Sequence, residues 1–213
     1  MRLGILGGTF DPVHYAHLLL AESCREQLRL DAVWFLPAAT APHKRQQDVS
    51  AAEHRVAMLE LAIAGNPAFE LCRLEVESGG VQYTNETLAR LRAQSPGDEL
   101  FLLLGGDMFN DLPNWRDPRR ICELAVPVGV YRPGQPAPDY ERLAELVDPP
   151  RLEYFRAHRV EMPQMDLSAT DLRRRAAAGL SLRYRTPPAV EQYIAVHGLY
   201  RAVPVEPPSS PSD

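Results

Sequence analysis

The chain has 213 residues, of which 45% are hydrophobic and 24% are charged, a composition typical of globular proteins. No run approaches the roughly 18 apolar residues of a membrane span, and the N-terminus lacks a signal-peptide pattern, so we expect no membrane partner and a cytoplasmic location. The net charge of −5 and the lack of a basic stripe disfavour nucleic acid as a partner. Three widely spaced cysteines favour buried free thiols over disulfides or a metal cage.

The first half of the chain alternates short apolar runs with helical stretches. Residues 3–6 predict a buried strand that ends at a glycine pair, and residues 14–30 have the 3.6-residue periodicity of a helix. Residues 32–36 predict a second strand, followed by a loop over residues 37–49. The next helix is predicted from Ser50 to about residue 65, with Ser50 and Glu53 forming a capping box. Residues 69–76 alternate as a half-exposed strand does, and residues 84–94 predict a third helix.

The second half continues the alternation. Residues 100–104 form the most continuous apolar strand and also end at a glycine pair, and residues 126–131 predict a further strand. A short helix is expected around residues 140–146, a last strand at Val160, and helices at residues 168–178 and 188–197. This pattern predicts an α/β fold with a Rossmann-like, open and mostly parallel sheet flanked by helices, in a single domain over residues 1–203. Residues 204–213 hold four prolines and no aromatic residue, which predicts a disordered Pro/Ser-rich tail.

The loop after the first strand is the best candidate for a phosphate site. Gly7-Gly8 lets the backbone approach a ligand, and the amides of Thr9 and Phe10 can face anionic oxygens. A helix begins near His14, so its positive dipole end points into the same crevice, and His17 shares one helical face with His14. The spacing fits neither a dinucleotide loop nor a Walker A loop. Zinc is the alternative for the two imidazoles, although no third ligand lies near them in the sequence.

Other candidates each have a simpler structural explanation beside the functional one. Lys44 is the single lysine among 23 Lys and Arg residues, so it is either a mobile phosphate-binding cation or an ordinary surface residue. Asp107 follows the second glycine pair, where it can face ribose hydroxyls or magnesium, or cap a helix. Trp115 can stack on a ligand or fill the core. Ser168 begins a Ser-x-x-Asp capping pattern, which leaves Arg173, one turn further, unexplained by capping.

These motifs occur in a characteristic order, in the segments 7–17, 42–44, 83–88, 105–115, 168–173 and 190–200. Their order and spacing resemble the HxGH nucleotidyltransferase superfamily and, within it, bacterial nicotinate mononucleotide adenylyltransferases. The resemblance covers the chain up to about Arg201. It implies transfer of AMP from ATP to nicotinate mononucleotide, giving nicotinate adenine dinucleotide and pyrophosphate in NAD biosynthesis. Mg²⁺ is then expected to arrive mainly on the ATP phosphates.

The resemblance also implies the roles of individual residues. The implied catalytic residues are His14, His17, Lys44 and Arg173. The implied ATP site consists of Gly8, Thr9, Phe10, His14, His17, Gly105, Asp107, Ser168, Thr170 and Arg173. The implied mononucleotide site consists of Thr9, Lys44, Thr84 and Trp115, with the tryptophan stacked on the pyridine ring and amides around Thr84 and Trp115 reading its carboxylate.

Three positions depart from the family pattern. Ala16 stands where the superfamily usually has glycine, so its methyl can crowd the nucleotide; Glu86 replaces the usual aspartate and Ala169 the usual serine. The alternatives are a sister adenylyl- or cytidylyltransferase that accepts nicotinamide mononucleotide or phosphopantetheine, and a catalytically silent nucleotide sensor. Retention of His14, His17 and Lys44 argues against the sensor. The oligomeric state is left open, with a homodimer as one alternative.

Overall fold

The computed structural model describes residues 1–39 and 49–201. Lys44, the 42–44 motif and the predicted tail at residues 204–213 lie outside the described residues. The strands of the described part are β1 (Arg2–Gly8), β2 (Ala32–Pro37), β3 (Phe69–Leu71), β4 (Glu99–Gly105), β5 (Val126–Tyr131) and β6 (Val160–Glu161). All pair in parallel, in the order β3-β2-β1-β4-β5-β6. The predicted Rossmann-like sheet is therefore confirmed.

Helices connect these strands. Those of the described part are α1 (Tyr15–Leu28), α2 (Ala52–Ile63), α3 (Leu74–Ser78), α4 (Thr84–Gln94), α5 (Gly106–Asp111), α6 (Pro118–Leu124), α7 (Pro149–Ala157), α8 (Ala169–Ala177) and α9 (Pro188–Val196). Short 3-10 turns cover Leu112–Asn114 and Tyr140–Leu143. No described helix is long and apolar enough to cross a membrane.

The strand order changes direction between β1 and β4. From β1 the chain builds outward through β2 and β3, then returns to the other side of β1, where Arg2 pairs with Glu99 and Ile5 with Leu102. In open α/β sheets, ligands bind beyond the carboxyl ends of the strands at such a switch point. Both glycine pairs lie at this edge, because β1 ends at Gly8 and β4 ends at Gly105.

The central strands are buried on both faces, which explains their continuous apolar sequences. Phe35, Phe101 and Val128 are among the residues with no exposed surface. Cys24 and Cys122 are buried and Cys72 is partly buried; all three are free thiols, as predicted. Burial raises the pKa of the Cys122 thiol to about 12, so this side chain serves as an apolar filler and not as a nucleophile.

Two sequence predictions on the β3 side are wrong. The predicted strand over residues 69–76 stops at Leu71, and helix α3 begins at Leu74. Apolar and polar residues still alternate beyond Leu71, but Glu75 and Glu77 there belong to the first turn of a helix. The predicted capping box at Ser50 is absent as well, because α2 has Ala51 as its N-cap residue without a side-chain bond. The Ser50 N–H instead donates to the Asp11 carboxylate at 3.0 Å.

Helices α6 and α7 were not predicted, although each has a recognisable start. Asp117 precedes Pro118 and accepts from the Arg120 N–H at 3.3 Å, and Asp148 precedes Pro149 and caps α7 in the same way. An aspartate cap followed by proline in the first turn is a strong start signal. Both helices are short, so their apolar periodicity is weak and the cap was the available signal.

Candidate active site

The loop between β1 and α1 presents backbone donors that have no partner within residues 1–39 and 49–201. The Gly8 carbonyl accepts from the Ala38 N–H at 2.9 Å, and the Thr9 carbonyl accepts from Nη1 of Arg55 at 2.9 Å. In a trans peptide unit the C=O and the next N–H point in opposite directions. The N–H groups of Thr9 and Phe10 therefore point away from these partners, and within the described residues neither has a hydrogen-bond acceptor. Two such amides form an anion-binding nest.

The packing of Phe10 explains why glycine occupies position 8, apart from any contact with a ligand. Phe10 has a φ of 50°, a left-handed conformation, and its side chain is 2% exposed. A Cβ atom at position 8 would lie 3.0 Å from the Phe10 ring, so a larger residue there would displace the ring. The same ring meets the edge of His17, with 5.1 Å between ring centroids. The loop is thus fixed against the histidine that follows it.

The two histidines stack on each other at the start of α1. Their ring centroids are 3.7 Å apart and the ring planes differ by 20°. The His14 N–H donates to Nδ1 of His17 at 3.2 Å. Because Nδ1 of His17 is an acceptor, the proton of its neutral ring lies on Nε2, which is left as a donor. Nδ1 of His14 is buried and has no partner among the described residues.

Burial keeps both imidazoles neutral. It lowers the pKa of His14 to about 4, with a further contribution from the positive charge of Arg132. It also lowers the pKa of His17 well below the usual range, and the neighbouring His14 and Arg132 act in the same direction. At neutral pH the pair therefore consists of two hydrogen-bond donors without net charge. No group of three or more His, Cys, Asp or Glu side chains able to hold a metal ion occurs within residues 1–39 and 49–201, so the zinc alternative gains no third ligand there.

Arg132 is a further candidate site residue, which no sequence motif singles out. It directly follows β5, at the same edge of the sheet, and its charge acts on both histidines. Within the described residues its guanidinium has no carboxylate within ion-pair distance. The available signal was an Arg-Pro-Gly sequence directly after a buried strand, a position that α/β sheets use for ligands.

The second glycine pair has a structural role in addition to the ligand contact that the sequence predicts. A Cβ atom on Gly106 would overlap the carbonyl oxygen of Pro136, because the Pro-rich loop after Arg132 crosses this point. Asn110 holds that loop through hydrogen bonds to Ala137 (2.9 Å) and Asp139 (2.8 Å). Gly106 is thus required by loop packing, whereas Gly105 remains half-buried at the strand end.

Asp107 does not cap a helix, contrary to the structural alternative considered above. Helix α5 begins at Gly106 with Gly105 as its N-cap residue, so Asp107 lies in the first turn. Its side chain is exposed, and Oδ1 folds back to 3.1 Å from where a Cβ atom on Gly105 would stand. The carboxylate therefore lies at the mouth of the crevice, and its predicted contact with ATP stays a prediction.

The 168–173 motif joins the phosphate loop across the molecule. Ser168 caps α8 by accepting from the Asp171 N–H at 3.2 Å. Arg173 turns towards the loop, where Nη1 donates to the Asp11 carbonyl at 2.7 Å and Nη2 approaches Oγ1 of Thr170 at 3.4 Å. Its neighbour Arg174 pairs with Asp171 at the surface instead. The structure thus brings Arg173 to the loop that carries the histidines.

A second group of predicted residues lies around the start of α4. Nε1 of Trp115 donates to Oδ2 of Asp111 at 3.1 Å, so this half-buried indole has a fixed orientation. Arg116 pairs with Glu86 at 3.2 Å and covers the Tyr83 ring at 4.3 Å. These contacts bring the Trp115 segment to the end of α4 that begins at Thr84. The longer side chain of Glu86, compared with the usual aspartate, makes this ion pair.

Comparisons with known proteins agree with this architecture. A cytidylyltransferase-like family model matches residues 5–175. A protein of Roseiflexus castenholzii named "Probable nicotinate-nucleotide adenylyltransferase" is 48% identical over 200 residues, covering 94% of this chain and 98% of that protein. One of the same name from Thermomicrobium roseum is 44% identical over 202 residues, covering 95% and 92%. The solved structure of Plasmodium falciparum nicotinic acid mononucleotide adenylyltransferase complexed with NaAD covers 93% of this chain and 97% of that one, with a TM-score of 0.72 at 18% identity.

The fold, the donor-rich crevice and the matched family model define a nucleotidyltransferase of the cytidylyltransferase-like class. With relatives above 40% identity over nearly the whole length, the chain belongs to the nicotinate-nucleotide adenylyltransferase family. The solved structure, at 18% identity, supports the fold alone.

Proposed function

We propose that the protein transfers the AMP moiety of ATP to nicotinate mononucleotide, releasing pyrophosphate and nicotinate adenine dinucleotide. The observation that carries the proposal is the stacked, neutral His14–His17 pair beside the outward amides of Thr9 and Phe10. Such a site binds phosphate oxygens through preorganised donors and offers no nucleophile of its own. The acceptor follows from membership in a family named for nicotinate nucleotides.

In the proposed reaction a 5′-phosphate oxygen of the mononucleotide attacks the α-phosphorus of ATP. A new P–O bond forms, and the bond to the bridging oxygen breaks as pyrophosphate leaves with the electron pair. Negative charge on the α-phosphate and bridging oxygens is stabilised by Nε2–H of His17, by His14 and by the positive end of α1. Because both imidazoles are neutral, they act by donating hydrogen bonds and need not transfer a proton.

The remaining ATP contacts are proposals of the same kind. The outward amides at the β1 end bind phosphate oxygens, Gly105 and Asp107 meet the nucleoside half, and Arg173 with Ser168 and Thr170 holds the distal phosphates. Arg132 adds a positive charge near the histidine pair. Gly8 lets the phosphates approach the backbone, and Ala16, which is 5% exposed, leaves little methyl surface to obstruct them.

For the acceptor, we propose that Trp115 stacks on the pyridine ring while amides near Thr84 and Trp115 receive its carboxylate. Thr9 and Lys44 are proposed to contact the mononucleotide phosphate. The bond from Asp111 would hold the indole plane in place before the ligand arrives. In this proposal the part of the site that selects the acceptor lies on α4 and the Trp115 segment.

Magnesium is proposed to enter with ATP. The described residues form no cluster of three or more carboxylate, imidazole or thiolate groups, which fits a metal held mainly by phosphate oxygens, with Asp107 as the carboxylate near the crevice. The metal would supply charge neutralisation on the triphosphate. A cytoplasmic location is proposed on the basis of the free thiols of Cys24, Cys72 and Cys122.

The decisive experiment incubates the purified protein with ATP, Mg²⁺ and either nicotinate or nicotinamide mononucleotide, and identifies the products by mass. We expect nicotinate adenine dinucleotide and pyrophosphate in equal amounts, with the amide acceptor used less efficiently. Formation of no dinucleotide with either acceptor contradicts the proposal. Phosphopantetheine serves as the control acceptor, and a product from it alone would instead indicate a sister enzyme.

A further inference from the structure

Beneath the phosphate loop lies a buried guanidinium that the proposed chemistry does not use. Arg55, on α2, is 2% exposed. Its donors reach three backbone carbonyls in three different segments, those of Thr9 (2.9 Å), Ser50 (3.0 Å) and Ala39 (3.3 Å). A buried guanidinium is costly unless its donors are satisfied, and here the backbone satisfies them.

Beside it lies a buried carboxylate. Asp11 is 1% exposed; its Oδ2 accepts from the Ser50 N–H at 3.0 Å and its Oδ1 from the Tyr200 hydroxyl at 2.5 Å. The backbone carbonyl of the same residue accepts from Arg173 at 2.7 Å. Asp11 therefore joins the phosphate loop to the segment before α2, to α8 and to the segment after α9, and its charge compensates that of Arg55 nearby.

The bond from Arg55 to Thr9 has a directional consequence. It draws the Thr9 carbonyl towards the protein interior, so the N–H of Phe10, in the same peptide unit, points to the opposite side. That side is the crevice, because Arg55 is buried beneath the loop. The orientation of this donor is thus set by a residue that does not contact the ligand.

The bond from Asp11 to Tyr200 has a similar effect on the other end of the loop. Tyr200 adopts a φ of 63° just after the turn that ends α9, and its hydroxyl reaches a residue 189 positions earlier. This contact holds the Asp11 backbone, whose carbonyl orients the Arg173 guanidinium. The end of the described chain is therefore connected to the proposed phosphate-binding cation through one residue.

We propose that Arg55, Asp11 and Tyr200 are positioning residues that orient the Phe10 amide and the Arg173 guanidinium for ATP. The proposal rests on the proposed function for its substrate. It predicts that loss of one hydrogen bond in this group lowers ATP affinity and kcat/KM for ATP by more than the loss of folding stability explains. A displacement of about 1 Å can lower the rate about a hundredfold.

The test compares Arg55→Lys with Arg151→Lys. Arg151 also donates to two backbone carbonyls, those of Cys122 (3.1 Å) and Ala125 (3.4 Å), but both lie at the end of α6 and not in the phosphate loop. Lysine keeps the charge in both variants and loses the planar fork. The measurements are the affinity for ATP with Mg²⁺ by calorimetry, kcat/KM for ATP, and the unfolding temperature.

We expect Arg55→Lys to lower both ATP affinity and kcat/KM for ATP by about tenfold or more. Arg151→Lys should lower the unfolding temperature while ATP affinity and kcat/KM for ATP stay unchanged. Equal losses of ATP affinity in the two variants would overturn the proposal. The calorimetric arm needs no acceptor, so it remains decisive even if nicotinate mononucleotide is not the substrate.

Tyr200→Phe is the second variant, for the case in which Arg55→Lys does not fold. It removes only the hydroxyl that donates to Asp11. We expect a several-fold loss of ATP affinity, with the protein still folded at the assay temperature. ATP affinity within about twofold of the parent would overturn the link from the C-terminal segment to Arg173.

Discussion

His17 offers the sharpest test of the proposed chemistry, because its three contacts within the protein use other parts of the ring than its proposed contact with substrate. Nδ1 accepts from the His14 N–H at 3.2 Å, one ring face stacks on His14, and the ring edge meets Phe10. These contacts leave Nε2–H for a phosphate oxygen. The change His17→Ala removes this donor together with the packing that positions it.

The expected size of the effect follows from the kind of donor that is lost. A preorganised hydrogen-bond donor to developing charge contributes about 2.7–4 kcal/mol to the transition state, which is about 10²–10³ in kcat. The lost cap-like bond from the His14 N–H should cost only about 1 kcal/mol of folding stability. We therefore expect a loss of at least about a hundredfold in kcat for a protein that remains folded at 25 °C.

The change His17→Gln separates the donor from the ring. Its amide oxygen can accept from the His14 N–H while its NH₂ group donates towards the substrate, so we expect it to recover part of the lost rate. The assay follows pyrophosphate release with both substrates saturating, and circular dichroism checks the fold. A kcat within about threefold of the parent for His17→Ala would refute the role of this histidine. Equal losses in the alanine and glutamine variants would refute the assignment of Nε2–H as the working donor.

Three further changes test other parts of the site. For Lys44→Arg we expect a partial loss of kcat/KM for nicotinate mononucleotide, because the charge survives while its geometry changes; unaltered kinetics would return Lys44 to the role of a surface residue. For Asp111→Ala we expect about a fivefold rise in KM for the mononucleotide and an unchanged KM for ATP, since Trp115 loses its fixed orientation; equal changes in both values would contradict this division of the site. Burial holds the pKa of His14 at about 4, below its unfolded value of about 6.5, so the folded state binds fewer protons and its stability falls as the pH drops between these values. The free energy of unfolding should fall by about 2 kcal/mol from pH 7 to pH 5 through this group, and His14→Gln, compared by urea denaturation at both pH values, should lose that part of the decrease.

Local sequence patterns correctly predict the helices and strands whose own residues show a clear apolar periodicity. Helix α4 begins at Thr84 and ends at Gln94 as predicted, and β5 spans the predicted residues, because periodicity and burial agree there. The histidine pair was also accessible from sequence, since residues three apart on a helix share a face whatever the tertiary fold. The parallel sheet followed from the alternation of strands and helices.

Long-range partners were not accessible in this way. Arg132 and Arg55 are two of many arginines in the chain, and their importance comes from residues far away in sequence: the histidines at the start of α1 and the Thr9 carbonyl. The same holds for Gly106, where the reason for glycine is the carbonyl of Pro136, thirty positions later. A single sequence gives the types of the side chains but not which carbonyl a guanidinium will reach.

The way the phosphate side is built explains why its chemistry depends on the whole chain. The donors come from residues near the N-terminus, but their orientation depends on Arg55 in α2, and Arg173 and Tyr200 approach Asp11 from 162 and 189 positions away. The proposed pyridine-binding part, by contrast, is held together by contacts within residues 83–116. If Trp115 binds the pyridine ring as proposed, substitutions around it should change acceptor preference without altering the phosphate loop. Changes to Asp11 or its partners should lower ATP affinity whichever acceptor is used.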